Sequence, residues 1–364
     1  MNEHLYAVIM AGGGGTRLWP LSRRSRPKQM LTITGDKTLF QIAVDRLFGL
    51  LTPEQIYIVT VEDQARELQK QKPEIPVENF LIEPMPKGTA SVVALAAQAI
   101  QLKDPQAVMV VLTADHYIQN VKHFHHLISC GMQIAQEGYL VTLGIEPLFP
   151  ATGYGYIQRG NQLGEHVGLP YYQVLKFKEK PNEDLALEFI ERGDHDWNSG
   201  MFFWRADRIL EEIARHMPEL YKKIEIIQKA WTSDSKQKVL QANWQEINPE
   251  TIDYGIMEKA DRVACIPARN LGWNDVGSWD SLFDVMPVDG KGNITLAEDV
   301  FLEDTSDSLI VSENPMRKFI ATIGIENIVI VDTPDALLVC KKTDTQKVKQ
   351  VVDFLKKEGC QQLL

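Results

Sequence analysis

Cysteine is scarce in this 364-residue chain, and the four present (Cys130, Cys265, Cys340, Cys360) stand far apart with no C-x-x-C pair. That fits reduced thiols better than a disulfide framework or a zinc site. Long apolar runs are also missing. No stretch reaches the roughly 20 apolar residues that a membrane span needs. The N-terminus enters a strand-like run without a charged leader or cleavage site, so no export signal is expected. Net positive charge is absent as well: 38 basic against 49 acidic residues leave a formal charge of −11. Nucleic acid and anionic membranes both need a basic face, so neither is an expected partner. The expectation is a cytoplasmic globular protein. With 44% hydrophobic residues the chain is too apolar for disorder, and its length suggests one large domain plus a smaller one.

One segment lacks acid altogether. Between His4 and Gly35 there is no aspartate or glutamate, and the run AVIMAGGGGTRLWPLSRRSRPKQ (residues 7–29) sets four glycines against Arg17, Arg23, Arg24, Arg26 and Lys28. A local cationic site of this kind suits an anionic small molecule even in an acidic protein. Around it the texture is α/β. Leu5–Met10, Gln55–Val61 and Ala107–Leu112 are short apolar runs of the buried-strand type. Thr89–Leu102 between them is alanine-rich and helical in pattern. Strands alternating with helices imply a largely parallel sheet whose strand C-termini carry the ligand site. Beyond Pro287 short β-rich runs take over, and Asp344 is placed to cap a last helix with Val348, Val351, Val352 and Leu355 on one face and Gly359 as its stop.

The glycine loop matches neither common phosphate motif. It has no glycine–lysine pair, which excludes a P-loop kinase, and Leu18 stands where G-x-G-x-x-G needs its third glycine. The physics survives: consecutive glycines let backbone N–H groups approach phosphate oxygens, and the cations supply compensating charge. A flexible turn with a solvated basic face is the bland alternative.

As written, Gly12-Gly13-Gly14-Gly15-Thr16-Arg17-Leu18 resembles the signature of the sugar-nucleotide pyrophosphorylases, and Trp19-Pro20-Leu21-Ser22-Arg23 with Pro27-Lys28-Gln29 resembles their mannose-1-phosphate guanylyltransferase branch. The resemblance implies that Ala11 to Thr16 hold a nucleoside triphosphate while Arg17 and Lys28 neutralise departing pyrophosphate. Further motifs follow in the family's order. EPMPKGTA implies nucleotide binding by Glu83, Gly88 and Thr89, with Gly88 where asparagine is usual; read alone, Thr89 is a helix cap. TADH and GWNDVGSW imply Mg²⁺ ligands Asp115 and Asp275, with Asn274 where relatives carry serine. TGYGYI, FKEKP and WNSGMF imply a sugar-phosphate pocket of Gly153, Glu179 and Asn198, with Lys180 as a catalytic cation. IDYGIMEK completes the series without an assigned role. His116 is unassigned, and His123, His125 and His126 read as a solvated helix face.

The resemblance therefore implies a Rossmann-like nucleotidyltransferase domain with a mixed, mostly parallel sheet over residues 1–286. Residues 287–364 are expected to form a β-rich domain like a partial left-handed β-helix, with a terminal helix and a role in a homodimer. Many relatives continue into a sugar-isomerase domain, which is not expected after Leu364. The implied reaction is GTP plus mannose 1-phosphate to GDP-mannose and pyrophosphate. The alternatives are another nucleotide or sugar 1-phosphate, or a non-catalytic sugar-nucleotide regulator.

Overall fold

The computed structural model describes residues 3–13, 15–33, 35–314 and 318–364. It divides into two compact units, the first of Met1–Gly12, Val44–Ala114 and Ile118–Gly272, the second of Gly13–Ala43, Asp115–Tyr117 and Trp273–Leu364.

The first unit is built on nine strands: β1 (Leu5–Met10), β2 (Ile56–Val61), β3 (Phe80–Glu83), β4 (Val108–Thr113), β5 (Leu140–Ile145), β6 (Gly155–His166), β7 (Leu169–Glu179), β8 (His195–Arg205) and β9 (Val263–Pro267). They form one mixed sheet in the order β3-β2-β1-β4-β8-β5-β9-β7-β6. The first four run parallel, with Ala7 opposite both Ile56 and Val110. Strand β8 enters antiparallel between β4 and β5. Because β1, β2 and β4 are buried along nearly their whole length, they read as unbroken apolar runs rather than alternating ones. The helix Thr89–Lys103 has no polar face for the same reason: every residue from Ala90 to Ile100 is buried. Parallel strands end on one edge, so Gly12, which follows β1, and Glu83, which ends β3, become neighbours across β2.

In the second unit six short strands follow in sequence: β10 (Ile294–Leu296), β11 (Val300–Glu303), β12 (Leu309–Ser312), β13 (Ile320–Ile323), β14 (Ile328–Asp332) and β15 (Leu337–Lys341). Strands β10, β12 and β14 stack in parallel, as do β11 and β13, like successive coils of a β-helix. Strand β15 closes the first stack antiparallel. Ile294, Leu309, Val311, Val329 and Val331 form a core with Val348, Val352 and Leu355 of the helix Val348–Lys357. Leu18, Trp19, Leu21, Leu31 and Leu39 belong to that same core. The segment after the glycines is thus held by apolar burial against the C-terminal β-structure. Asp344 does not cap the last helix: it lies inside a preceding 3₁₀ segment, Lys342–Lys347, and pairs with Lys347 at 2.8 Å. Gly359 does end the helix, at φ 72°.

Candidate active site

The candidate site residues fall into two groups. In the second unit, Gly15 adopts a left-handed conformation (φ 51°, ψ 50°) and opens the 3₁₀ turn Thr16–Leu18. A Cβ at Gly15 would lie 2.3 Å from the Cβ of Lys28, so only glycine allows this approach. Lys28 is buried, and its ammonium sits 2.8 Å from the Asp115 carboxylate while donating to the backbone carbonyl of Asp275. Burial alone would raise the Asp115 carboxyl, but the charges of Lys28 and His116 outweigh it and hold the group at about 2. The Arg17 guanidinium lies 4.0 Å from the Asp275 carboxylate. One lysine thus draws together two loops 160 residues apart in sequence, Asp115 and Asp275. Gly13 is exposed, its carbonyl accepting from the Gln29 amide at 3.3 Å, and Gly14 lies outside the described residues.

The rest of the basic cluster is engaged elsewhere, which corrects the expectation that all five cations compensate a ligand. Arg23 pairs with Asp335 at 2.9 Å and donates to the Leu363 carbonyl. Arg24 uses its backbone N–H on the Leu364 carbonyl, at 2.8 Å, and its guanidinium on Gln361. Arg26 pairs with Glu313. Their partners are acceptors of the C-terminal region, so these three cations anchor chain to chain.

The second group lies in the first unit. Ala11 is fixed by hydrogen bonds to Val59 and Thr60. A Cβ on Gly12 would come within 2.7 Å of Glu83 Oε1. Glu83 is buried, its Oε2 has no hydrogen-bond partner among the described residues, and burial pushes its carboxyl up to about 7 against a backbone hydrogen bond from Lys87. Gly88 (φ 85°) lies where a Cβ would strike the Glu250 carbonyl at 2.1 Å. Thr89 does not cap its own helix; its hydroxyl accepts the Ile252 N–H at 2.9 Å. Further along, Glu179 Oε1 lies 2.1 Å from where a Cβ of Gly155 would stand, and the Cβ of Asn198 lies 3.5 Å from the same point. Gly155, rather than Gly153, makes this close approach; Gly153 is exposed with nothing within 4 Å of its Cβ position. Lys180 is 67% exposed, 3.5 Å from Glu179, in a left-handed conformation (φ 44°).

Two features escaped the sequence reading. Asp253, within IDYGIMEK, accepts a 2.7 Å hydrogen bond from Asn198 Nδ2. The motif was visible, but nothing local could say what its aspartate touches. His116 accepts from Trp273 Nε1 at 3.1 Å and stands beside Asp115. On the helix Val121–Gln136, His125 and His126 turn their rings to the carbonyls of Arg46 and Val167.

With this geometry in view, the comparisons with known proteins are decisive. Residues 6–291 match the nucleotidyl transferase family model, and residues 298–355 match the mannose-phosphate isomerase/GMP-like β-helix domain. The mannose-1-phosphate guanylyltransferase of Escherichia coli is 40% identical over 360 residues, covering 97% of this chain and 74% of that protein. The chain belongs to the nucleotidyl transferase family. A second relative of this nucleotidyl transferase, the mannose-1-phosphate guanylyltransferase of Salmonella muenchen, is 39% identical, covering 97% of this chain and 73% of that one. A crystal structure from Thermus thermophilus, described as mannose-1-phosphate geranyltransferase, superposes with a TM-score of 0.85 at 33% identity, covering 97% of this chain and 99% of that one.

Nucleotidyl transferases generally use a divalent metal. The donors present fit a hard cation: Asp115 and Asp275 offer carboxylate oxygens on loops that meet at Lys28. Among the described residues no cluster of three or more His, Cys, Asp or Glu side chains forms a complete cage. No helix among the described residues is long and apolar enough to cross a membrane.

Proposed function

We propose that this nucleotidyl transferase joins GTP and mannose 1-phosphate to give GDP-mannose and pyrophosphate. The observation that carries the chemistry is the convergence on Lys28 of Asp115 and Asp275, with Arg17 and Gly15 beside them. The choice of substrates follows the names of the relatives at about 40% identity.

An oxygen of the sugar phosphate attacks the α-phosphorus of GTP. The new oxygen–phosphorus bond forms as the bond from the α-phosphorus to the bridging oxygen breaks, and pyrophosphate leaves with that electron pair. The nucleophile is already an anion, so no general base is required. What the protein must supply is alignment and relief of repulsion between anions. Backbone N–H groups of Gly12 to Thr16 receive the phosphates, and Arg17 and Lys28 take up the charge of the leaving pyrophosphate. Ala11, Glu83, Gly88 and Thr89 hold the nucleoside; the orphan oxygen of Glu83 suits a base edge rich in N–H donors, such as that of guanine. Gly153, Glu179 and Asn198 hold the sugar, and exposed Lys180 screens its phosphate. Asp115 and Asp275 would hold Mg²⁺, which would supply further neutralisation of phosphate charge.

We assign residues 1–286 to catalysis and 287–364 to a homodimer contact, and place the enzyme in the cytoplasm. Exposed Phe301, Phe319, Ile323, Leu337 and Val339 support the contact, since apolar groups gathered on one domain favour association. Light scattering at the mass of one 41.2 kDa chain would remove it. A panel of nucleoside triphosphates against sugar 1-phosphates, reading pyrophosphate release, tests the reaction. GTP with mannose 1-phosphate is expected to give the highest kcat/KM, and a better result for UTP or dTTP with glucose 1-phosphate overturns the assignment.

A further inference from the structure

Asp253 opens a π-helical turn, Asp253–Met257, a rare geometry that recurs at functional sites. Its carboxylate accepts from Asn198 Nδ2 at 2.7 Å. The other end of the same amide is also fixed. Asn198 Oδ1 accepts from the Thr142 hydroxyl at 3.3 Å and from the Gly200 N–H at 3.3 Å. An ionised carboxylate only accepts hydrogen bonds, so it forces the NH₂ end of Asn198 toward Asp253 and leaves one amide N–H for a ligand.

The arrangement is costly as pure structure. No salt bridge to Asp253 occurs among the described residues. Burial raises its carboxyl to about 6, and the nearby charges of Glu179 and Glu258 push the same way. A lysine or an apolar side chain would relieve that penalty. Glu179 and Asn198 both border Gly155: a Cβ built there would lie 2.1 Å from Glu179 Oε1 and 3.5 Å from the Asn198 Cβ. An acceptor (Glu179) and a donor (the remaining Asn198 N–H) therefore border the same glycine. This pair matches two adjacent hydroxyls of a pyranose, one donating and one accepting.

Granted that Asn198 faces the sugar, as proposed above, we propose that Asp253 is a positioning residue that holds the Asn198 amide with its N–H turned to a hydroxyl oxygen of the sugar 1-phosphate. Its effect falls on sugar binding and passes through Asn198 alone. Losing one well-placed hydrogen bond of this kind weakens binding about tenfold.

The test is steady-state kinetics with mannose 1-phosphate and GTP on Asp253→Ala, Asp253→Asn, Asn198→Ala and the double variant Asp253→Ala/Asn198→Ala, with thermal melts on each. Asp253→Ala is expected to raise KM for the sugar phosphate about tenfold, leaving KM for GTP and kcat within about twofold. In the Asn198→Ala background the same change is expected to add nothing further. Asp253→Asn, which keeps the volume but frees the amide to turn, serves if the alanine variant does not fold, and should raise the same KM. Equal losses for both substrates, or additive losses in the double variant, overturn the positioning role. If Asn198→Ala leaves the sugar KM unchanged, the sugar site itself is wrongly assigned and the proposal falls with it. A raised KM in Asn198→Ala with none in either Asp253 variant refutes the proposal alone.

Discussion

Gly15→Ala is the sharpest probe of the phosphate loop. At φ 51° and ψ 50° an alanine costs about 1–2 kcal/mol in backbone strain alone. Its Cβ would also stand 2.3 Å from the Lys28 Cβ and 3.1 Å from the Lys28 backbone nitrogen. Carbon atoms in contact prefer roughly 3.5–4.0 Å, so the two segments must part by more than about 1 Å. Neither clashing atom can swing aside, because both lie on or next to the backbone. The shift would drag Lys28 from the Asp115 carboxylate and the Asp275 carbonyl. A misplacement of that size commonly costs about 10²-fold in rate. Overpacking adds about 1–3 kcal/mol to the strain, so the variant should lose about 2–5 kcal/mol of stability in total. Gly13→Ala is the contrast: nothing lies within 4 Å of its Cβ position and its φ is not left-handed, so the fold should be unaffected. Any activity that variant loses should appear in KM for GTP, where an approaching phosphate would meet the new methyl. Pyrophosphate-release kinetics with GTP varied, alongside thermal unfolding, separate the two. Gly15→Ala with kcat within about threefold of the parent, or Gly13→Ala as unstable as Gly15→Ala, would refute the reasoning.

Asp115→Ala and Asp275→Ala should each lower kcat by on the order of 10²-fold with the fold retained, and a Mg²⁺ titration should move to higher concentration; an unchanged Mg²⁺ dependence in either variant counts against that residue as a ligand. Because burial lifts the Glu83 carboxyl to about 7, the acceptor form gains population as pH rises through neutrality. KM for GTP is therefore expected to fall between pH 6 and 8, whereas Glu83→Gln should show a KM raised about tenfold and flat across that range. A pH-dependent KM persisting in the glutamine variant would assign the titration to another group.

Much of the catalytic half was legible because its signals are local. Buried parallel strands announce themselves as apolar runs, and β1, β2 and β4 begin and end within a residue of the runs that marked them. The all-apolar helix after Gly88 is the same effect in helical form. The motif order carried the family, since each loop at a strand end keeps its own short vocabulary.

Partnership between distant residues was not legible. A run of five cations looks the same in sequence whether it faces phosphate or the chain itself. Only folding showed that Arg23 reaches an acceptor 340 residues away and Arg26 one 287 residues away, leaving Arg17 and Lys28 beside the two aspartates. Thr89 and Asp344 carried good capping chemistry, yet the hydroxyl of one accepts from the Ile252 N–H and the other lies inside a 3₁₀ segment, because the helix ends were set by tertiary neighbours. Asp253 stood in a recognised motif without a role until a π-turn brought it to Asn198, 55 residues earlier. Sequence alone determined the strands, the loop vocabulary and the family, since these depend on near neighbours and periodicity. Which charge meets which was decided by the tertiary structure, because electrostatics and hydrogen bonding act across space and are blind to separation along the chain.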